Sequence, residues 1–189
     1  MSGTCYRAPI ALRSIDEAAR EATIVAATEA AVAMPHGAEV LLCRPEAVDL
    51  ARYRANPVIL DTHNGATIDA VIGSAREVEV ASGLILVRAR FASTERGTRA
   101  WELVRTGHLK GASIGYVVTE ARHVRAGEVD PCGARGPAIV ATRWTLLEVS
   151  LCPVGADALA GVRSRGAATL SPFDLISDDE LLATLKRVF

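Results

Sequence analysis

The stretches DAVIGSAREVEVA, residues 69–81, and GLILVRARFA, residues 83–92, are joined at Ser82-Gly83. Apolar residues alternate through Val78, Val80, Leu84, Leu86 and Val87, and the alternation breaks only at the turn, which is the pattern of a β-hairpin. Half of the 189 residues are hydrophobic but only 4% are aromatic. The core is therefore expected to be built from Val, Ile, Leu and Ala, a composition that leans towards strands.

Working outward, residues 22–34 read as a strand and GAEVLLC, residues 37–43, as its partner. PEAVDLARYRA, residues 45–55, reads as a short helix opened by Pro45 and ended at Asn56-Pro57. PVILDTH, residues 57–63, reads as a strand that stops at Asn64-Gly65, a dipeptide suited to positive φ, which leaves His63 at a strand end. Downstream, Ser93 or Thr94 caps a helix over residues 93–107, with Ala100, Leu103 and Val104 on one face, Trp101 beside them and Gly107 as the stop. ASIGYVVTEARHV, residues 112–124, and IVATRWTLLEVSLC, residues 139–152, read as strands on either side of a Gly/Pro-rich loop. The expected fold is mainly β with inserted helices (α+β): a mainly antiparallel sheet or small antiparallel β-barrel wrapped by helices. The expected organisation is an arm at 1–20, a domain at 21–162, a linker at 163–176 and an amphipathic helix at 177–189 opened by a capping box at Ser177.

The net charge is −1 and no basic stripe interleaves with aromatics, which argues against nucleic acid as a partner. No apolar run approaches the roughly 18 residues of a membrane span, and residues 1–14 lack a secretory pattern, so the expected compartment is cytosolic. Cys5, Cys43, Cys132 and Cys152 are far apart, form no zinc spacing and read as reduced, mostly buried thiols.

Three places carry the chemistry. Ser113 lies between Gly111 and Gly115 on one strand face, and the two glycines would clear space for a substrate backbone beside its hydroxyl. Equally, they would mark a bulge with the serine bonding a neighbouring strand. His63 is either a base or a structural histidine at a strand end. Asp61, two residues away on the same strand, is poorly placed to bond that ring and reads as structural. Glu148 interrupts an otherwise buried strand, with Leu147, Val149 and Leu151 on the opposite face. A buried carboxylate needs a partner, and an imidazole donating its second ring N–H would supply one. The bland reading is a glutamate on the solvent face with Ser150 and Thr145 as company. The turn PVGAD, residues 153–157, could aim the backbone N–H groups of Ala156 and Asp157 at an oxyanion, each donor worth roughly 3–4 kcal/mol of barrier.

His63 within LDTHNG, GHLKGASIGY at 107–116 and LEVSLCPVGAD at 147–157, in this order and after AVDLARYRANPVILDTH, resemble the prohead maturation protease family of tailed bacteriophages over roughly residues 22–162. That family is similar in turn to the herpesvirus capsid-maturation protease, an antiparallel barrel wrapped by helices. The resemblance implies that Ser113 is the nucleophile, His63 the base and Glu148 the orienting third member, with no cofactor. The herpesvirus enzymes have a histidine as third member and arginines in the oxyanion turn, where this chain has Glu148 and Ala156-Asp157. The implied substrates are the major capsid protein, its scaffold segment and the protease itself, inside the prohead in the bacterial host, and a homodimer is implied by the related viral enzymes. The competing readings are a non-catalytic capsid assembly or scaffold protein and a small ester or amide hydrolase. The GASIG segment lies inside a strand rather than at a strand-to-helix elbow, which weighs against the latter. A metal-dependent hydrolase is least favoured, since no two histidines have ligand spacing.

Overall fold

A computed structural model of the chain describes residues 15–34, 37–81, 83–155 and 160–162. In chain order the strands are β1 (Ile15–Asp16), β2 (Glu21–Thr28), β3 (Val32–Met34), β4 (Gly37–Leu41), β5 (Val48–Asp49), β6 (Val58–Asp61), β7 (Val71–Ala81), β8 (Leu84–Phe91), β9 (Ala112–Val124), β10 (Ala138–Leu151) and β11 (Gly161–Val162). Helix α1 (Ala51–Ala55) precedes β6 and helix α2 (Glu95–Arg105) follows β8.

The fold is organised around β10. One edge of this strand pairs antiparallel with β9 along almost its whole length. The other edge is met by three short strands in succession, all parallel to it: β4 at Ala138 to Ala141, β5 at Trp144 and Thr145, and β6 at Val149 to Leu151. From β6 the ladder continues antiparallel through β7, β8, β2 and β1. The sheet is therefore mixed and mainly β, and it is open. The expected mainly antiparallel sheet is present apart from the three parallel pairings of β10, and the expectation of a closed barrel is corrected: the path runs from β1 to β3 without returning, and β9 has β10 as its strand partner among the described residues.

The hairpin forms as its alternation requires, with β7 and β8 paired from Gly73–Phe91 to Ala81–Leu84 and Gly83 at φ +74° in the turn. The stretch 22–34 is two strands rather than one. β2 pairs with β8, and only β3 pairs with β4, so residues 37–43 partner just the end of that stretch. Residues 45–55 hold β5 before α1, so the helix is shorter than its Pro45 start suggested. Residues 15–16 of the expected arm pair with β2. The expected linker at 163–176 and helix at 177–189 lie outside the described residues.

Helix α2 starts where the sequence indicates: Thr94 Oγ1 accepts from Gly97 N at 3.2 Å, and Gly107 has φ +77°. Its inner face is Gly97, Ala100, Trp101 and Val104. Leu103, expected on that face, is exposed, because the helix presents Trp101 to Phe91 with ring centroids 5.3 Å apart. The core is largely aliphatic, around Ile24, Ile59, Ile85, Val87, Val140, Leu146 and Val149, with Tyr53 and Trp144 also buried in it and Trp144 donating Nε1–H to Leu42 O at 3.0 Å. Cys43 and Cys152 are buried, as expected. Among the described residues no helix is long and apolar enough to cross a membrane.

Candidate active site

At its C-terminal end β10 carries Glu148 and Ser150 on the face away from the core, and a β-bulge puts them there. The β9 ladder steps from Leu146–Tyr116 to Glu148–Gly115, so Leu147 is an extra residue on β10. Before the bulge the even-numbered Trp144 and Leu146 enter the core; after it Val149 and Leu151 do. Without that reset Glu148 would continue the Leu146 face into apolar packing, and bulges commonly re-aim side chains in this way. Leu147 thus belongs to the bulge and not to the core face it shared with Val149 and Leu151 in the sequence reading.

Directly across from Glu148 is Gly115, and directly across from Ser150 is Ser113. A Cβ at position 115 would lie 2.6 Å from Glu148 Oε1 and 3.0 Å from its Cγ. At position 111 a Cβ would lie 2.5 Å from Cys152 O and 3.2 Å from Gly155 N. The glycines that flank Ser113 therefore admit the Glu148 side chain and the turn after β10. Gly155 makes the reciprocal approach to Ala112, whose carbonyl oxygen stands 2.5 Å from where its Cβ would be. Ala156 and Asp157, the expected oxyanion donors, lie outside the described residues.

His63 reaches the same place from β6. After Asp61 the backbone turns through Thr62 at φ +52° and His63 at φ +58°. The positive φ angles thus fall on these two residues and not on Asn64-Gly65, and a β-branched residue in the left-handed region costs roughly 1–3 kcal/mol unless its surroundings hold it. They are held: Thr62 N–H donates to Leu151 O at 3.1 Å and His63 N–H to Ser150 Oγ at 3.0 Å. The ring then meets Glu148, with Nδ1 2.6 Å from Oε1. A carboxylate only accepts, so Nδ1 carries the proton of this contact, and in the neutral ring that tautomer leaves the Nε2 lone pair free. The Glu148 side chain is 16% exposed and that of His63 43%, so the carboxylate is shielded while the ring faces solvent. The negative charge of Glu148 is felt nearby. Burial first, then Glu148, pushes both the Tyr53 hydroxyl and the Cys152 thiol up from their ordinary values, with Asp61 adding to the latter.

The structure brings together His63 and Glu148 and sets Ser113 on the neighbouring strand, about 5 Å from Ser150 between Cα atoms by ladder geometry. No hydrogen bond joins Ser113 to the His63 ring, and the Ser113 hydroxyl has no partner among the described residues. Asp61 turns away, accepting from the Thr62 hydroxyl at 2.8 Å and standing 3.7 Å from Arg96. His108 and His123 are exposed and take no part. Ser150, expected only as local company for Glu148, is wholly buried and donates to Glu148 Oε2 at 2.6 Å. Its two-residue spacing from Glu148 on one strand was the available signal. Among the described residues no three His, Cys, Asp or Glu side chains gather as a metal-holding group.

No family model, curated protein or solved structure matches the chain.

Proposed function

We propose that the protein is a serine endopeptidase of the prohead-maturation kind, with Ser113 as nucleophile, His63 as base and Glu148 as the group that orients His63. The observation that carries this reading is the 2.6 Å contact between His63 Nδ1 and Glu148 Oε1 beside the Ser113 strand. Ser113 Oγ would attack a peptide carbonyl carbon as its proton passes to His63 Nε2. The imidazolium, steadied by Glu148, would return that proton to the leaving amine, and water would then release the acyl group by the same path. The backbone N–H groups of Ala156 and Asp157 would receive the oxyanion. The proposed substrates are the major capsid protein, its scaffold segment and the enzyme itself, inside the prohead. The proposed kinship with the herpesvirus enzymes rests on the Ser113 strand, the Glu148 strand and the glycine turn after it, within an open sheet.

A non-catalytic assembly protein on the same fold is the second reading, favoured by the absence of a Ser113–His63 hydrogen bond, although nucleophile–base contacts are often looser before substrate binds. Co-expression with the neighbouring capsid and scaffold genes, read on a denaturing gel, separates the two. Shortening of the capsid protein by wild type, lost in both Ser113→Ala and His63→Ala and slowed about 10²–10⁴-fold in Glu148→Gln, is the expected result. Shortening that persists in Ser113→Ala would leave the assembly reading.

A further inference from the structure

We propose that Ser150 is a positioning residue that fixes the orientation of both His63 and Glu148, a role that rests on the reading of these two as base and orienting acid. Its hydroxyl has one proton to give and gives it to Glu148 Oε2 at 2.6 Å. The same oxygen accepts the backbone N–H of His63 at 3.0 Å. One buried atom therefore ties the carboxylate's far oxygen to the main chain of the residue whose ring the near oxygen holds, and the three bonds form a closed loop through His63, Ser150 and Glu148.

Each bond in the loop removes a freedom that the site must not have. With Oε2 held by Ser150, the carboxyl plane is fixed and Oε1 faces Nδ1. With its N–H held, His63 stays at φ +58°, a conformation the chain would otherwise leave, and the ring keeps its place over the end of β10. Groups behind an orienting carboxylate fix tautomer and ring orientation in the same way in metal sites, where losing one costs about 10–100-fold. The geometry also decides between the two serines that face each other across the ladder. Ser150 has 0% of its surface exposed and its proton is committed to Glu148, so it cannot be the nucleophile; Ser113 is partly exposed, and its hydroxyl has no partner among the described residues.

The test uses the full chain labelled with 15N-histidine, with the His63 signals assigned by their loss in His63→Ala, and a fluorophosphonate probe that labels activated serines. In wild type His63 is expected as the Nδ1–H tautomer, with labelling at Ser113. In Ser150→Ala the tautomers are expected to mix and labelling to slow about 10–100-fold, and Ser150→Thr, which restores the hydroxyl, is expected to recover most of both. Should Ser150→Ala fail to fold, Ser150→Cys, nearly the same shape but with a weak S–H donor, is read in the same way and is expected to fall in between. A Ser150→Ala protein that keeps the Nδ1–H tautomer overturns the proposal, whatever its labelling rate. A wild type that is not labelled at Ser113, yet whose His63 tautomer mixes in Ser150→Ala, removes the protease reading and leaves the positioning role of Ser150 standing.

Discussion

At Gly115 the missing side chain leaves the room that the Glu148 carboxylate occupies. A methyl group there would sit 2.6 Å from Glu148 Oε1, the end of a flexible side chain, and not against backbone. The fold can therefore absorb Gly115→Ala by swinging the carboxylate aside, while the contact with His63 cannot survive. Misplacement of a catalytic group by about 1 Å costs on the order of 10²-fold. Gly115→Ala is thus expected to keep a thermal midpoint within a few degrees of wild type and to lose about 10²-fold or more in fluorophosphonate labelling of Ser113, measured on the same preparation. Unchanged labelling would show that Glu148 does not need its place beside His63. At this scale the sequence was informative about Glu148, because a carboxylate in an apolar strand demands a partner and few residues can answer it. It said little about Ser150, because a serine in a strand becomes significant only when the register sets its hydroxyl against a particular neighbour.

Elements with strong local signals were legible. The alternation of residues 69–92, the Thr94 cap and Gly107 stop of α2, and the turn-bounded β9 and β10 all depend on neighbours in sequence. The bulge at Leu147 was also written locally, as the change of apolar phase from Trp144 and Leu146 to Val149 and Leu151, but a strict alternation hides it. The parallel attachment of β4, β5 and β6 to β10 was not legible, since it joins segments some ninety to a hundred residues apart, with no local mark of partner or direction. Local propensity also misleads at Gly97, inside α2. Replacing a helical glycine with alanine gains about 1 kcal/mol of helix propensity, yet a Cβ here would lie 2.4 Å from Ala92 O, an atom of the backbone. Overpacking of this kind costs roughly 1–3 kcal/mol or more, and the opposing backbone cannot give way as a side-chain tip can. Gly97→Ala is expected to destabilise the protein by about 1–2 kcal/mol net in urea unfolding, whereas Arg99→Ala on the exposed face stays within about 0.5 kcal/mol. A stabilised Gly97→Ala would mean that α2 is free to lift from the end of β8.

For the molecule as a whole, β10 is the common member of four strand pairings, so whatever fastens its two ends governs more than one edge. The candidate site occupies one end; at the other, Asp130 closes the connection between β9 and β10. Its carboxylate takes both Nε and a terminal nitrogen of Arg122 at 2.9 Å and the backbone N–H of Cys132 at 2.9 Å, and it is 7% exposed. The Arg122 guanidinium, helped by the Cys132 N–H and opposed by burial, holds the Asp130 carboxyl far below the ordinary carboxylate range. A folded-state value depressed below the unfolded one, which is about 3.9 for aspartate, stabilises the protein fully above that pH and is lost as the pH falls towards the depressed value. Because the Arg122 side chain is 48% exposed, solvent screens the pair and its contribution is about 1–2 kcal/mol rather than that of a fully buried ion pair. Asp130→Asn is therefore expected to melt below wild type at neutral pH by a margin that holds down to about pH 4 and narrows on further acidification, as wild type alone loses this charge. A margin that stays constant to pH 2 would assign the stabilisation to the shape of the 125–137 connection. In that case the ion pair would not be what binds β9 to β10 at the end remote from Ser113.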